Sequence, residues 1–237
     1  MKKIKAISFD LDHTLYDRNA TWEVLAPAFR RTYFFELLPG FDAAGLCDVL
    51  KQADYKATYN ETSWRGMYKE LIRRGLISGK SGFTCFNSFI YEFFPGAIVP
   101  YPDTYRVLAW CRENGLHPTI ITNGHPGLQE RKMAAMKLSG YIEECFICNL
   151  DSGVGCKPSP DPFWKLADYL HLPPEQILYV GDNPRNDVMG AKQVGMQTAW
   201  LNVMHNWDAK YEPADFEISS LSNLISIVEN ANHTGGF

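Results

Sequence analysis

Two aspartates, Asp10 and Asp12, stand one residue apart within the stretch AISFDLDHTLYD, residues 6–17, with Thr14 two residues further on. Like charges this close repel, and each carboxylate is costly to take out of water. A surface turn is one reading, since Asp and Thr are common turn residues. The other is a metal and phosphate site at the carboxyl end of a buried strand. Three further stretches offer matching chemistry: Thr122-Asn123-Gly124, Lys157-Pro158, and Gly181-Asp182-Asn183 with Asp187 nearby. Asp10, Asp12 and Asp182 are hard oxygen ligands of the kind Mg²⁺ prefers, with Asp187 close by. A cation would let these carboxylates converge. Thr122, Asn123 and Lys157 are donors suited to phosphate oxygens, Lys157 as the fixed positive charge. Asp10 is then available as a carboxylate nucleophile that forms an aspartyl-phosphate.

The elements that must position these residues are legible as alternating short apolar runs and helix-length segments. Strands are predicted at KAISFD, at residues 117–124, 145–150 and 177–182, and at 198–202. Helical patterns near 102–113, 128–136, 160–170 and 187–194 separate them. Continuous apolar strands between helices predict a parallel sheet covered on both faces, a Rossmann-like, doubly wound α/β fold. In such a sheet ligands bind beyond the carboxyl ends of the strands, where the candidate residues fall. Residues 16–97 differ, reading as amphipathic helices over about 21–38, 42–59, 63–74 and 83–94, rich in aromatics that mostly pack a core. The expectation is an α/β core of residues 1–15 and 98–237, interrupted by an all-α insert over 16–97. The tail from Asn230 to Phe237 reads as frayed.

Composition narrows the partners. The chain has 237 residues, 46% of them hydrophobic, and a formal net charge of −4. No basic stripe suggests a nucleic-acid polymer; the pairs Arg30-Arg31 and Arg73-Arg74 read as solvated helix faces. No apolar run approaches a membrane span, and Asp10 arrives too early for a signal peptide, so a cytoplasmic protein is expected. Cys145 and Cys148 have CxxC spacing without a second pair for zinc and read as buried free thiols.

Taken in order, DLDHT, ITNG, CKPSPDPF and GDNPRND resemble the signature of the haloacid dehalogenase-like hydrolase superfamily, with the insert where its helical-cap members carry one. A single DxD is weak, but the ordered set, each motif at a strand end or in the loop after it, is specific. The resemblance implies Asp10 as nucleophile and Asp12 as general acid and then base. It implies Mg²⁺ held by Asp10, the Asp12 backbone carbonyl and Asp182, with Asp187 ligating or orienting. Thr122 and Lys157 would hold the phosphoryl group, Asn123 would support through its backbone, and Thr14 would brace the loop. His13 and His125 adjoin the motifs. Dehalogenase members lack the second aspartate, so Asp12 favours a phosphatase acting on a small phosphorylated metabolite, a nucleotide or sugar phosphate. Phosphomutases share the core residues. Phosphonatase-type members need a cap lysine, for which Lys51, Lys56, Lys69 and Lys80 are candidates. A non-catalytic binding protein would be expected to break a motif, and none is broken. Trp22 and Trp64 are candidates for covering a substrate, against core packing. Either a monomer or a homodimer fits.

Overall fold

The computed structural model describes residues 2–59, 63–149 and 155–234. The chain divides into two compact units, Met1–Asp17 with Pro100–Phe237, and Arg18–Val99.

In the first unit, β1 (Ala6–Phe9) is followed by the two-residue β2 (Tyr16–Asp17). The second unit follows with α1 (Arg18–Thr32), α2 (Ala43–Tyr59), α3 (Ser63–Arg73) and α4 (Gly82–Ala97). The chain returns through β3 (Val99–Pro100) to α5 (Thr104–Glu113), β4 (Thr119–Asn123), α6 (Pro126–Ala135), β5 (Cys145–Cys148) and α7 (Asp161–Leu170). It ends in β6 (Ile177–Gly181), a π-helical turn (Pro184–Met189) running into α8 (Gly190–Lys192), β7 (Gln197–Leu201), β8 (Phe216–Ile218) and α9 (Asn223–Thr234).

Six strands form a parallel sheet in the order β5-β4-β1-β6-β7-β8. Every residue of β1 and β6 is buried, as strands covered on both faces must be. On one face Phe163, Leu166 and Ala167 of α7 pack with Ile121, Ile177, Tyr179 and Met196. On the predicted strand over 145–150, β5 ends at Cys148, and Leu150 lies outside the described residues.

Several expectations change. The segment 187–194 is not one α-helix. The Asn183 side chain caps the backbone N–H groups of Arg185 and Asn186, at 3.0 Å each, and tightens the entry into the π-helical turn. A sixth strand, β8, was not expected; three residues are too few to show periodicity. The tail is helical rather than frayed as far as Thr234, with 235–237 outside the described residues. Its Asn232 accepts from the backbone of Ile4 at 2.8 Å and donates back at 3.0 Å, which ties α9 to the entry of β1.

The helical unit is built around aromatic edges. Trp22 is fully buried, edge-on to Phe94 at 5.5 Å and to Trp64 at 6.3 Å. Trp22 is therefore core, and the face of Trp64 lies under the Arg18 guanidinium at 4.7 Å. Helix α1 stops at Thr32 rather than near 38, because the following backbone pairs elsewhere: Leu38 donates to Leu76 O and Ser78 donates to Glu36 O. Phe34 and Phe35 are consequently exposed, not core. Arg73 and Arg74 both clasp the buried Glu70, as does Lys56.

Arg18 also makes a two-pronged ion pair with Asp54, both contacts at 2.6 Å and both residues buried. Removing one partner strands a buried charge, whereas replacing both does not. Asp54→Ala should cost about 3 to 5 kcal/mol in urea unfolding, and Arg18→Met with Asp54→Leu distinctly less. A single-variant loss under about 1 kcal/mol would show that the pair is solvated.

Candidate active site

The sheet order explains how residues more than a hundred positions apart meet. The connection from β1 runs out to β4 and β5, then back to β6 on the other side of β1. Phe9 is level with Ile120 on one flank and Val180 on the other. The Asp10 N–H extends the ladder by donating to Val180 O at 2.8 Å. The carboxyl ends of β1, β4 and β6 thus bring Asp10, Thr122 with Asn123, and Asp182 to one rim, where such sheets bind ligands.

Lys157 stands at the centre of this rim, buried rather than on the surface. Its Nζ donates to Asp10 Oδ1 at 2.7 Å, Asp187 Oδ1 at 2.6 Å and the Tyr179 hydroxyl at 2.9 Å, which uses all three hydrogens. Tyr179 accepts from Lys157 and donates to Ile121 O at 3.0 Å, so β6 and β4 steer the lysine together. Burial opposes its charge, but the two carboxylates outweigh burial and hold Lys157 well above the usual lysine range. Asn123 fixes the lysine's backbone instead of facing the rim: its amide donates to Lys157 O and accepts from Lys157 N–H, both at 2.9 Å. Thr14 donates weakly to Asp10 Oδ2 at 3.4 Å, which fits a bracing role.

The acidic cluster comprises Asp10, Asp182 and Asp187, whose nearest carboxylate oxygens lie within 4.8 Å of one another. Their situations differ. Both oxygens of Asp187 already accept hydrogen bonds, Oδ1 from Lys157 and Oδ2 from Asn183 N–H at 2.9 Å. Asp182 Oδ2 is buried without a hydrogen bond, with His205 Nε2 3.4 Å away. Burial lowers the His205 pKa, which favours the neutral ring. The buried oxygens of Asp10 and Asp182, one of them without a hydrogen bond, are donors that could hold a hard divalent cation, while Asp187 bonds Lys157. Gly181 makes this packing possible: a Cβ there would sit 2.3 Å from the Asp187 carboxylate carbon.

The Asp12 side chain has other partners. Lys132 Nζ reaches its two oxygens at 2.7 and 3.0 Å, Gln129 Nε2 donates to Oδ2 at 3.1 Å, and the Tyr16 hydroxyl donates to Oδ1. Gln129 also donates to Thr122 Oγ1 at 2.7 Å. Sequence reasoning missed Gln129, Lys132 and Tyr179, and gave Tyr16 no such role. The available signal was the spacing of Gln129 and Lys132, one helical turn apart directly after ITNG. His125 occupies the position before α6, and His13 is buried with a left-handed φ of 60°. Lys51 and Lys56 are paired within the helical unit, with Glu23 and Glu70.

Residues 4–195 match the haloacid dehalogenase-like hydrolase model, and the chain belongs to that family. It is 28% identical over 239 residues to a glyceraldehyde 3-phosphate phosphatase of Pyrococcus furiosus, covering 98% of this chain and 96% of that protein. A phosphoserine phosphatase of Thermus thermophilus is 34% identical over 102 residues, 43% of this chain and 40% of that protein. Among solved structures, a magnesium-bound HAD-hydrolase, YfnB, of Bacillus subtilis shares the fold with a TM-score of 0.74 at 20% identity, covering 96% of this chain and 99% of that one. Among the described residues, no helix is long and apolar enough to cross a membrane.

The electrostatics give a test that needs no substrate. Burial raises Asp10 from its ordinary 3.8 to about 7, against the attraction of Lys157, and raises Asp182 as well, helped by Asp187 and Asp10. The unfolded chain releases the Asp10 proton near pH 4; the folded chain holds it to about pH 7. The folded state binds more protons across that window, so these groups make metal-free stability fall as pH rises through it. Asp10→Asn removes the Asp10 share. The Tm of Asp10→Asn relative to wild type, both with chelator, should rise from pH 5 to pH 8. A difference that is flat or falls with pH would refute the assignment.

Proposed function

We propose that the protein is a Mg²⁺-dependent phosphatase that hydrolyses a small phosphate monoester, of the nucleotide or sugar phosphate class, through an aspartyl-phosphate on Asp10. The observation that carries this reading is the buried Asp10 carboxylate, held 2.7 Å from Lys157 at the end of β1 and clustered with Asp182 and Asp187. Relatives named as phosphatases of glyceraldehyde 3-phosphate and of phosphoserine support a small metabolite as substrate.

In the first step an Asp10 oxygen bonds to phosphorus, the bond to the ester oxygen breaks, and Asp12 gives that oxygen its proton. Lys157 and the Thr122 hydroxyl hold the transferring oxygens, and a phosphoryl oxygen takes the place of Asp10 as a Lys157 acceptor. In the second step a water oxygen bonds to phosphorus, the water's proton passes to Asp12, and the bond to Asp10 breaks. Inorganic phosphate leaves and both carboxyl groups regain their starting states. Asp10, Asp182 and the Asp12 backbone carbonyl would hold Mg²⁺, which would supply positive charge against the carboxylates and the phosphoryl oxygens. Asp12 favours an ester over a halide, since a departing halide needs no proton. Every residue assigned to the phosphoryl group lies in the α/β unit. Action in the cytoplasm, as a monomer or homodimer, completes the reading.

Phosphate release should appear in a screen of phosphorylated metabolites with Mg²⁺ and vanish with chelator. Asp10→Asn, confirmed folded, should lose at least about 10³-fold; near-normal turnover would end the covalent mechanism. Mg²⁺ should also raise the Tm, since it binds only the folded cluster. Asp182→Ala should weaken that stabilisation more than Asp187→Ala, because only Asp182 has an oxygen without a hydrogen bond. The reverse order would exchange their roles.

A further inference from the structure

We propose that Lys132 and Gln129 are positioning residues for Asp12, fixing its carboxyl group for proton transfer to the departing ester oxygen; this rests on the phosphatase reading above. Lys132 lies on α6, yet it is 2% exposed and directed inward. A lysine on a helix at the surface can extend to water, and burying its ammonium is costly unless a partner repays it. Here the partner is Asp12, reached at both oxygens, 2.7 and 3.0 Å. Gln129, three residues earlier on the same helix face, is also 2% exposed and reaches Asp12 Oδ2 at 3.1 Å. Gln129 is itself pinned, donating to Thr122 Oγ1 at 2.7 Å, with Asn123 O 3.3 Å from the same nitrogen. Gly124 leaves room for this approach, since a Cβ there would lie 2.9 Å from the Gln129 amide carbon.

Each of the two neighbouring aspartates thus has its own buried lysine, Lys157 for Asp10 and Lys132 for Asp12. Asp12 follows the end of β1, and its backbone is bridged to Tyr16. The Tyr16 hydroxyl provides a third side-chain contact to its carboxyl group. General acid catalysis depends first on geometry, and it contributes about 10² to 10⁴-fold. Losing the orientation should therefore hurt where a proton must reach the leaving group, and much less where it need not.

The test uses the full chain with Mg²⁺ and two esters of similar size. 4-Nitrophenyl phosphate releases a stable phenolate, whereas benzyl phosphate releases an alkoxide that needs a proton. Lys132→Met should lower kcat/KM by at least about 10²-fold for benzyl phosphate and by less than about 5-fold for 4-nitrophenyl phosphate. Lys132→Arg should recover about 10-fold or more of the benzyl loss by restoring a charged donor. In an Asp12→Asn background, Lys132→Met should add nothing, because the group it orients is already disabled. If Lys132→Met does not fold, Gln129→Leu reads the same contrast without removing a charge. Equal losses on both esters, no loss, or a gain would overturn the inference while leaving the phosphatase reading intact. A wild type that hydrolyses neither these esters nor any metabolite of the screen overturns both.

Discussion

One buried ammonium sets the terms for the whole rim. Lys157 is almost fully enclosed and joins Asp10, Asp187 and Tyr179 through its three hydrogens. A lone charge so placed would be unaffordable, as would three carboxylates without a counter-charge. The fold satisfies both requirements by closing them on each other, and the positions of β1, β4 and β6 follow from the need to deliver these groups to one point. Even Asn123, at the end of β4, uses its side chain to hold the lysine's backbone rather than to face a ligand. Burial first, and the neighbouring carboxylates after it, leave Asp10 and Asp182 holding protons more tightly than ordinary carboxyl groups. Three buried carboxylates converging on one ammonium are the physical case for a divalent cation at this rim.

The same economy governs Asp12. It is one residue beyond Asp10 in sequence, but it sits in a separate set of partners built from Tyr16, Gln129 and Lys132. Two like carboxyl groups in adjacent surroundings acquire different tasks because their neighbours differ. Glycines at the close approaches serve both sets: Gly181 admits Asp187, and Gly124 admits Gln129.

The sheet and the rim were legible because they rest on strong signals. Continuous apolar runs mark buried parallel strands, and the residues of DLDHT, ITNG and GDNPRND follow those runs directly. Tyr179, Gln129 and Lys132 were not legible for a common reason. A tyrosine within an apolar strand looks like packing, and a glutamine and lysine on a helix look solvated; only tertiary structure turns them inward. Phe34 and Phe35 are exceptions to the expectation that the insert's aromatics mostly pack a core, because the chain leaves it where Glu36 and Leu38 pair with residues 76–78. The π-helical turn escaped because its geometry comes from the capping amide of Asn183, not from any periodicity. Strand β8 was too short to register at all.

The central place of β1 has a consequence for how the molecule is made. The strand that carries Asp10 precedes in the chain both of its neighbours in the sheet, which pair with it through Ile120 and Val180, and the clasp on Ile4 comes from Asn232. Closing such distant pairings is entropically costly and slow. The helical unit, by contrast, is a single unbroken stretch from Arg18 to Val99 whose contacts can form as it leaves the ribosome. The insert can therefore be complete while the interrupted domain still lacks most of its sheet, and β1 must wait for strands made after it before it is enclosed.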